Sequence, residues 1–360
     1  MGERPPGRPL RRGADGALPS QRARPRTRRL GDHLGTQGIG AAAFGPGRAN
    51  LIGEHTDYND GLSLAFALQY GVTVTAEPRS GEIAGEPEAF VRGMVAELRA
   101  AGFELRPVGL KIESTLPEGA GLSSSAALET ALCLALIGAA GLRPPDHRVE
   151  LARLCSRVEN VWVGARTGLL DQITSLLGEE GHALRIDFRT LEVQHVPLVL
   201  GDWRLVAVRS GEQHSLAAGS GYDQRRAECD RAAELLGLAS LRDATADAAA
   251  GLPAPFDRRV RHVLEENDRV DATIAALERS DLAEVGRLLD ASHRSLRDLY
   301  EASTDAVERT VAQLTAAGAA GARMMGGGFG GSVLALFPPR REPPEGALEL
   351  EPSRGARLLH

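Results

Sequence analysis

Two glycine- and serine-rich stretches constrain this chain more than any other feature. They are Gly119-Ala120-Gly121-Leu122-Ser123-Ser124-Ser125 and, about 200 residues later, Gly326-Gly327-Gly328-Phe329-Gly330-Gly331. Backbone so free of side chains presents several N–H groups to one anion, the usual way a chain cradles phosphate. The sequence contains one lysine, Lys111, which follows Pro107-Val108-Gly109-Leu110, so it belongs to no Walker-type loop. A nucleotide bound here is bound without a P-loop lysine.

Composition narrows the class further. The 360 residues are 42% hydrophobic and 25% charged, ordinary for a globular chain long enough for two domains. A net charge of −6 argues against nucleic acid as the main partner. Cys133, Cys155 and Cys229 form no metal or disulfide spacing, so a reducing cytoplasm is the expected compartment. No apolar run has the length of a membrane span and no signal peptide precedes the core, so no membrane partner is expected. Residues 1–30, with nine arginines and five prolines, read as a disordered extension or as translation from an upstream start codon, rather than as a basic tail for nucleic acid.

Periodicity places strands at Val72–Ala76, Gly109–Thr115, Ala183–Asp187, Glu192–Val196 and Arg204–Val208. It places helices at Glu88–Ala101, Ser123–Ala140, 146–163, 169–177, 220–237, 256–278, 281–300 and 304–317. The last glycine loop lies between two short strand-like pieces, Ala322-Arg323-Met324 and Ser332–Leu336. The mixture predicts an α+β fold of two lobes, 31–197 and 198–360.

Three constellations carry chemistry. Gly45-Pro46-Gly47-Arg48-Ala49-Asn50-Leu51-Ile52-Gly53-Glu54-His55-Thr56-Asp57-Tyr58-Asn59-Asp60-Gly61 packs polar side chains between glycine-bounded turns. It is either an ordinary polar loop or a sugar site, whose vicinal hydroxyls need carboxylates and amides. A metal site fits less well, because Glu54 and His55 are adjacent with no second histidine at ligand spacing. The serine loop, led in by Leu116-Pro117-Glu118, enters a helix whose N-terminus offers free N–H groups and a positive dipole end. Three consecutive serines exceed what capping needs, which favours phosphate. The third constellation is Gly168-Leu169-Leu170-Asp171-Gln172. A lone aspartate there is ordinarily a helix cap, but Glu159 lies on the preceding helix, and such a carboxylate pair is what magnesium plus an acid–base group require.

These residues closely resemble the galactokinases, within the wider group of GHMP kinases. The first run is similar to the signature G-R-x-N-L-I-G-E-H-T-D-Y-N-x-G, matched at every fixed position. The second resembles the shared phosphate loop P-x-G-x-G-L-S-S-S-A-A, and the third the family's G-I-M-D-Q. Arg323-Met-Met-Gly-Gly-Gly-Phe-Gly-Gly331 resembles the third GHMP motif. The resemblance runs over most of 45–337.

It implies a ribosomal-S5-like N-terminal domain, a ferredoxin-like C-terminal domain and a site in the cleft between them. By position, Glu54, His55, Thr56 and Asp57 would hold the sugar, with Gly168 nearby and Tyr222 closing over it. Asp171 would be the catalytic carboxylate, as base or as orienting group, with Arg48 beside it. Gly119, Ala120, Gly121, Leu122, Ser123, Ser124 and Ser125 would hold the ATP phosphates, and Ser125 and Glu159 the Mg2+. The implied reaction is ATP-dependent phosphorylation of the anomeric hydroxyl of α-D-galactose, the entry step of galactose catabolism, by a cytoplasmic monomer.

A kinase for N-acetylgalactosamine or arabinose is the nearest alternative. A catalytically silent galactose sensor is the other, although the complete run Ser123–Ala127 favours an enzyme. The chain departs from the family in a short 77–88 stretch, a gap between Phe337 and Ala347, and Ala65, Arg166 and Met325 at positions usually proline, proline and threonine.

Overall fold

In the computed structural model, two antiparallel sheets carry the site, and the strands that form them explain where its polar groups point. The structure describes residues 40–165, 167–212 and 221–359. The extension expected over 1–30, Arg166 and the residues 213–220 lie outside them.

The first sheet has the order β10-β1-β2-β4-β5. Its strands are β1 (Ala41–Ile52), β2 (Leu62–Pro78), β4 (His182–Asp187), β5 (Glu192–Pro197) and β10 (Arg357–Leu359). β3 (Val108–Ser114) also pairs with β2. One edge of β2 therefore receives two partners end to end, β4 against Leu62–Ala65 and β3 against Val72–Pro78. The other edge takes β1, with register shifts between Pro46 and Arg48 and between Asn50 and Ile52. The shifts turn β1 as a bulge does, re-aiming side chains next to a functional site.

The first motif is thus not a loop throughout. Gly45 to Ile52 is a buried strand, and only the segment after Gly53 turns. The glycine at 47 has a specific reason: a Cβ there would press on the Leu122 carbonyl and the Leu116 side chain. The Arg48 amide donates to that same Leu122 carbonyl at 3.1 Å, fastening β1 to the serine loop.

Four helices cover this sheet region: α1 (Glu88–Ala100), α2 (Ser124–Ala139), α3 (Arg148–Arg157) and α4 (Leu170–Leu177). α2 is apolar nearly all round and buried accordingly. α3 runs into a wider turn over Val158–Val163, where the Gly164 amide reaches back five residues to the Glu159 carbonyl. Single turns of this kind gather at functional sites.

The second sheet has the order β7-β8-β6-β9. It is built from β6 (Arg204–Arg209), β7 (Gly321–Met325), β8 (Ser332–Phe337) and β9 (Leu348–Glu349). The join between sheets falls after Pro197 and before Arg204, and the chain then returns at its end, where β10 pairs with β1. Beside the second sheet lie α5 (Gly221–Leu236), α6 (Ala246–Ala250), α7 (Phe256–Glu278), α8 (Leu282–Asp298) and α9 (Asp305–Ala316). Asp281 and Thr304 cap α8 and α9 by accepting from the Glu284 and Val307 amides. No helix among the described residues is long and apolar enough to cross a membrane.

Candidate active site

An open cleft is lined by residues from β1, the turn after it, the serine loop, α4 and the glycine loop after β7. Every residue that the sequence picks out for the site lines it except Thr56.

Arg48 and Asp171 form its centre. Arg48 Nε donates to Asp171 Oδ1 at 2.7 Å and Nη2 donates to Oδ2 at 3.0 Å, a two-point contact that fixes the carboxylate's plane. Arg48 Nη1 donates to the Gly121 carbonyl at 2.9 Å, and the Ser123 hydroxyl donates to Asp171 Oδ2. Asp171 sits in the first turn of α4 without capping it, so the helix-cap alternative does not describe its side chain.

The serines likewise do not cap α2. Ser123, at its N-cap, has a left-handed backbone (φ 57°) and spends its hydroxyl on Asp171, while Ser125 Oγ donates to Glu159 Oε1 at 2.7 Å. Ser124 is exposed. The N-cap side chain thus leaves the first amides of a 16-residue helix uncapped, and Ser123, Ser124 and Ser125 line the cleft.

Glu159 is held from behind. Its Oε2 accepts from Thr167 Oγ1 at 2.7 Å and from Gln172 Nε2 at 2.8 Å, and the same amide nitrogen donates to Glu129 Oε2 at 3.0 Å. Burial, aided by the nearby Glu159 charge, pushes the Glu129 carboxyl up to about 10, so it is neutral at physiological pH. Thr167 and Glu129 are not singled out by the sequence, and Gln172 enters only as the last residue of the third motif, with no role given to it. Glu129 did carry a signal: a carboxylate in the middle of an otherwise apolar helix.

The turn after β1 begins at Gly53. Glu54 Oε1 accepts from the Gly326 amide at 2.7 Å and lies 2.9 Å from Arg323 Nη2, tying the turn to β7 and the glycine loop. His55, at φ 61°, has Nδ1 2.8 Å from the Tyr58 hydroxyl and packs its ring between Tyr222 and Tyr300, at 5.5 and 4.4 Å. Burial raises the Tyr222 phenol well above its ordinary value, so it stays protonated.

Thr56 is the exception. It is fully buried, and its hydroxyl donates to the Gly53 and Leu62 carbonyls at 3.0 and 2.7 Å. It shapes the turn rather than facing the cleft. Asp57 does face the cleft and packs against Gly168, where a Cβ would overlap its Oδ2 outright. Burial pushes the Asp57 carboxyl up to about 6, opposed by the Tyr58 amide and helped by the Asp171 and Glu54 charges.

Met325 is buried at the end of β7 and also lines the cleft, next to the triple glycine. Its partner across the sheet, Ser332, donates to the Ala120 carbonyl at 2.7 Å and so ties the second sheet to the serine loop.

Comparison with known proteins fits this geometry. Three family models match: the galactokinase galactose-binding signature over residues 31–78, the GHMP kinases N terminal domain over 89–179 and the GHMP kinases C terminal domain over 273–356. A galactokinase of Thermotoga neapolitana is 40% identical over 310 residues, 81% of this chain and 87% of the relative. A galactokinase of Streptomyces coelicolor is 42% identical over 334 residues, 83% and 84% of the two chains. Among solved structures, Lactococcus lactis galactokinase complexed with galactose superposes with a TM-score of 0.80 at 29% identity, covering 88% of this chain and 95% of that one. An L. major mevalonate kinase, at 17% identity and a TM-score of 0.64, shares the fold. The signature, the two kinase domains and identities near 40% over four-fifths of the sequence place this chain in the galactokinase family of GHMP kinases.

Proposed function

We propose that this chain transfers the γ-phosphoryl group of ATP to the anomeric hydroxyl of α-D-galactose, giving galactose 1-phosphate and ADP. The observation that carries the reading is convergence: one cleft brings the Arg48–Asp171 pair, the Asp57–Gly168 contact and the serine loop together. Phosphoryl transfer asks little covalent chemistry of a protein and much alignment and charge neutralisation.

Asp57, His55 and the free side of Glu54 accept from or donate to sugar hydroxyls. Asp171, its plane set by Arg48, orients the attacking hydroxyl. As the bond from that oxygen to phosphorus forms and the bond to the ADP oxygen breaks, the hydroxyl proton passes to the Asp171 carboxylate. Arg48 keeps that carboxylate aligned and offsets charge gathering on the phosphoryl oxygens.

Ser125 and Glu159 fit a magnesium ion: both are hard oxygen donors, already 2.7 Å apart beside the serine loop. The described residues hold no cluster of three or more His, Cys, Asp or Glu able to ligate a metal, and magnesium ordinarily takes one or two protein oxygens beside phosphate and water. Bound there, it supplies neutralisation of phosphate charge. We take the protein to act as a monomer in the cytoplasm, where its three unpaired cysteines stay reduced.

The test is ADP release measured across free galactose, N-acetylgalactosamine, arabinose and glucose, with the product's phosphorylated carbon read by NMR. Galactose phosphorylated at C1 with the highest kcat/KM is the expected result. Preference for another sugar overturns the substrate, and galactose binding without turnover on any sugar overturns the enzyme.

A further inference from the structure

The cleft is acidic for a site proposed to take a nucleoside triphosphate. Four carboxylates line it, Glu54, Asp57, Glu159 and Asp171, against one lining guanidinium, Arg48, with Arg323 pairing Glu54 from behind at 2.9 Å and the Arg226 charge acting on Asp57. Arg48 is already engaged by Asp171 and the Gly121 carbonyl. The only lysine in the chain, Lys111, is exposed on β3 and paired with Glu113 at 2.9 Å. A nucleoside triphosphate brings further negative charge, and one divalent cation leaves an excess. A further protein cation within reach of the serine loop would offset the phosphate charge.

Arg209 answers to that description. It ends β6, and its Nη2 lies 3.4 Å from the point where a Cβ on Gly119 would sit, at the start of the serine loop. The backbone fixes it there through a short chain of contacts. Arg209 pairs in register with Ser332, whose hydroxyl donates to the carbonyl of Ala120, the residue after Gly119. The next residue, Ser210, donates its amide to the carbonyl of Gly331, which lines the cleft. The side chain is exposed, and no carboxylate among the described residues forms an ion pair with it. The neighbouring glycines have φ of 67° and 68°, which turns backbone amides outward in the way anion-binding loops do.

We propose that Arg209 is a nucleotide-phosphate contact: from the C-terminal sheet it reaches across Gly119 to the ATP phosphates on the serine loop, doing what a P-loop lysine does elsewhere. The inference rests on the reading of this cleft as an ATP site. Arginine suits the task, because its planar fork stays charged and can meet two phosphate oxygens at once. It also joins the two sheets through the substrate, so nucleotide binding and lobe contact are coupled.

Arg209→Gln and Arg209→Lys separate this role from a structural one. In steady-state kinetics on the full chain, Arg209→Gln is expected to raise KM for ATP by roughly tenfold or more and to leave KM for galactose within about twofold. Arg209→Lys should recover part of the loss, and the increase of KM for ATP with added salt should be shallower in the glutamine variant. Melting temperature should be unchanged, since the side chain is exposed. An unchanged KM for ATP, or equal losses for both substrates, overturns the proposal. Calorimetric titration of the unmodified chain with Mg-ATP keeps the two readings apart. No binding there sinks the ATP site itself, whereas normal binding in both the unmodified chain and Arg209→Gln sinks Arg209 alone.

Discussion

Asp57, proposed to hold the sugar, is set against its own environment. Its folded carboxyl, pushed up to about 6, is raised above the ordinary 3.8, so its contribution to stability is present below 3.8 and lost as pH rises through 6. At neutral pH the ionised group is a cost to the empty enzyme, on the order of 1–3 kcal/mol. On the proposed function, that ionised group is also the acceptor offered to sugar hydroxyls. Asp57→Asn is therefore expected to raise the melting temperature slightly at pH 7.5 while weakening galactose by about 1–3 kcal/mol. In the unmodified enzyme KM for galactose should climb with one-proton dependence as pH falls below 6, and the asparagine variant should lose that dependence. A flat profile in the unmodified enzyme counts against Asp57 as an acceptor. Gly168 tests the same contact from the other side, because its missing side chain is what lets Asp57 lie where it does. Gly168→Ala should raise KM for galactose at least tenfold with KM for ATP nearly unchanged, a split that a general loss of structure would not give.

At the scale of elements, the N-terminus of α2 invites a comparable test. Gly121 has φ 68° and open space where a Cβ would be, so a larger residue there clashes with nothing but adopts a strained backbone and projects toward the cleft. Gly121→Val should cost about 1–2 kcal/mol of stability and abolish ADP release. Retained turnover would mean that the loop only introduces a helix. Most elements were legible beforehand because their apolar periodicity is local. The pattern from 256 to 278 places α7, and the run closed by Gly141 places α2. β1 was not legible, since Gly45-Pro46-Gly47 reads as a turn. Its glycines instead serve close approach to α2 and to the serine loop, where Cβ atoms would meet the Ala127 and Leu122 carbonyls. The motif residues of the site were readable as chemistry, but their supports were not. Gln172 bridging Glu129 and Glu159, and Arg209 over Gly119, depend on which strands and helices meet, and no local pattern encodes that.

At the scale of the whole molecule, the C-terminal half holds the Gly53 turn that the N-terminal half contributes. One face of α7 does most of this: His262 Nε2 is 3.2 Å from the Glu54 carbonyl, Glu266 Oε1 accepts from the Gly53 amide at 3.0 Å, and Asn267 Oδ1 accepts from the Leu62 amide at 2.8 Å. Arg323 adds contacts from β7 to the Asn50 and Leu51 carbonyls at 2.8 and 3.0 Å. Burial pushes His262 down to about 4. Glu266 is buried too, which would raise it, but Arg269, His262, Arg323 and the Ser292 hydroxyl together hold it down at about 2. Both folded values lie below the ordinary ones of 6.5 and 4.5, so both contributions are complete above those values and are lost as pH falls. The melting temperature should decline first between 6.5 and 4, as His262 takes a proton more readily unfolded than folded, and again from 4.5 toward 2 through Glu266. Glu266→Gln should remove the second decline and, by taking away a charge that favours protonated His262, deepen the first. At neutral pH the same variant weakens the pairing with Arg269 and with the Gly53 amide, and a loss of roughly 3 kcal/mol is expected where a buried pair is broken. Glu266 does not line the cleft, yet by loosening the Gly53 turn Glu266→Gln should raise KM for galactose several-fold while KM for ATP holds. If stability falls but both KM values stay fixed, α7 only glues the lobes together, and the Gly53 turn keeps its shape without it.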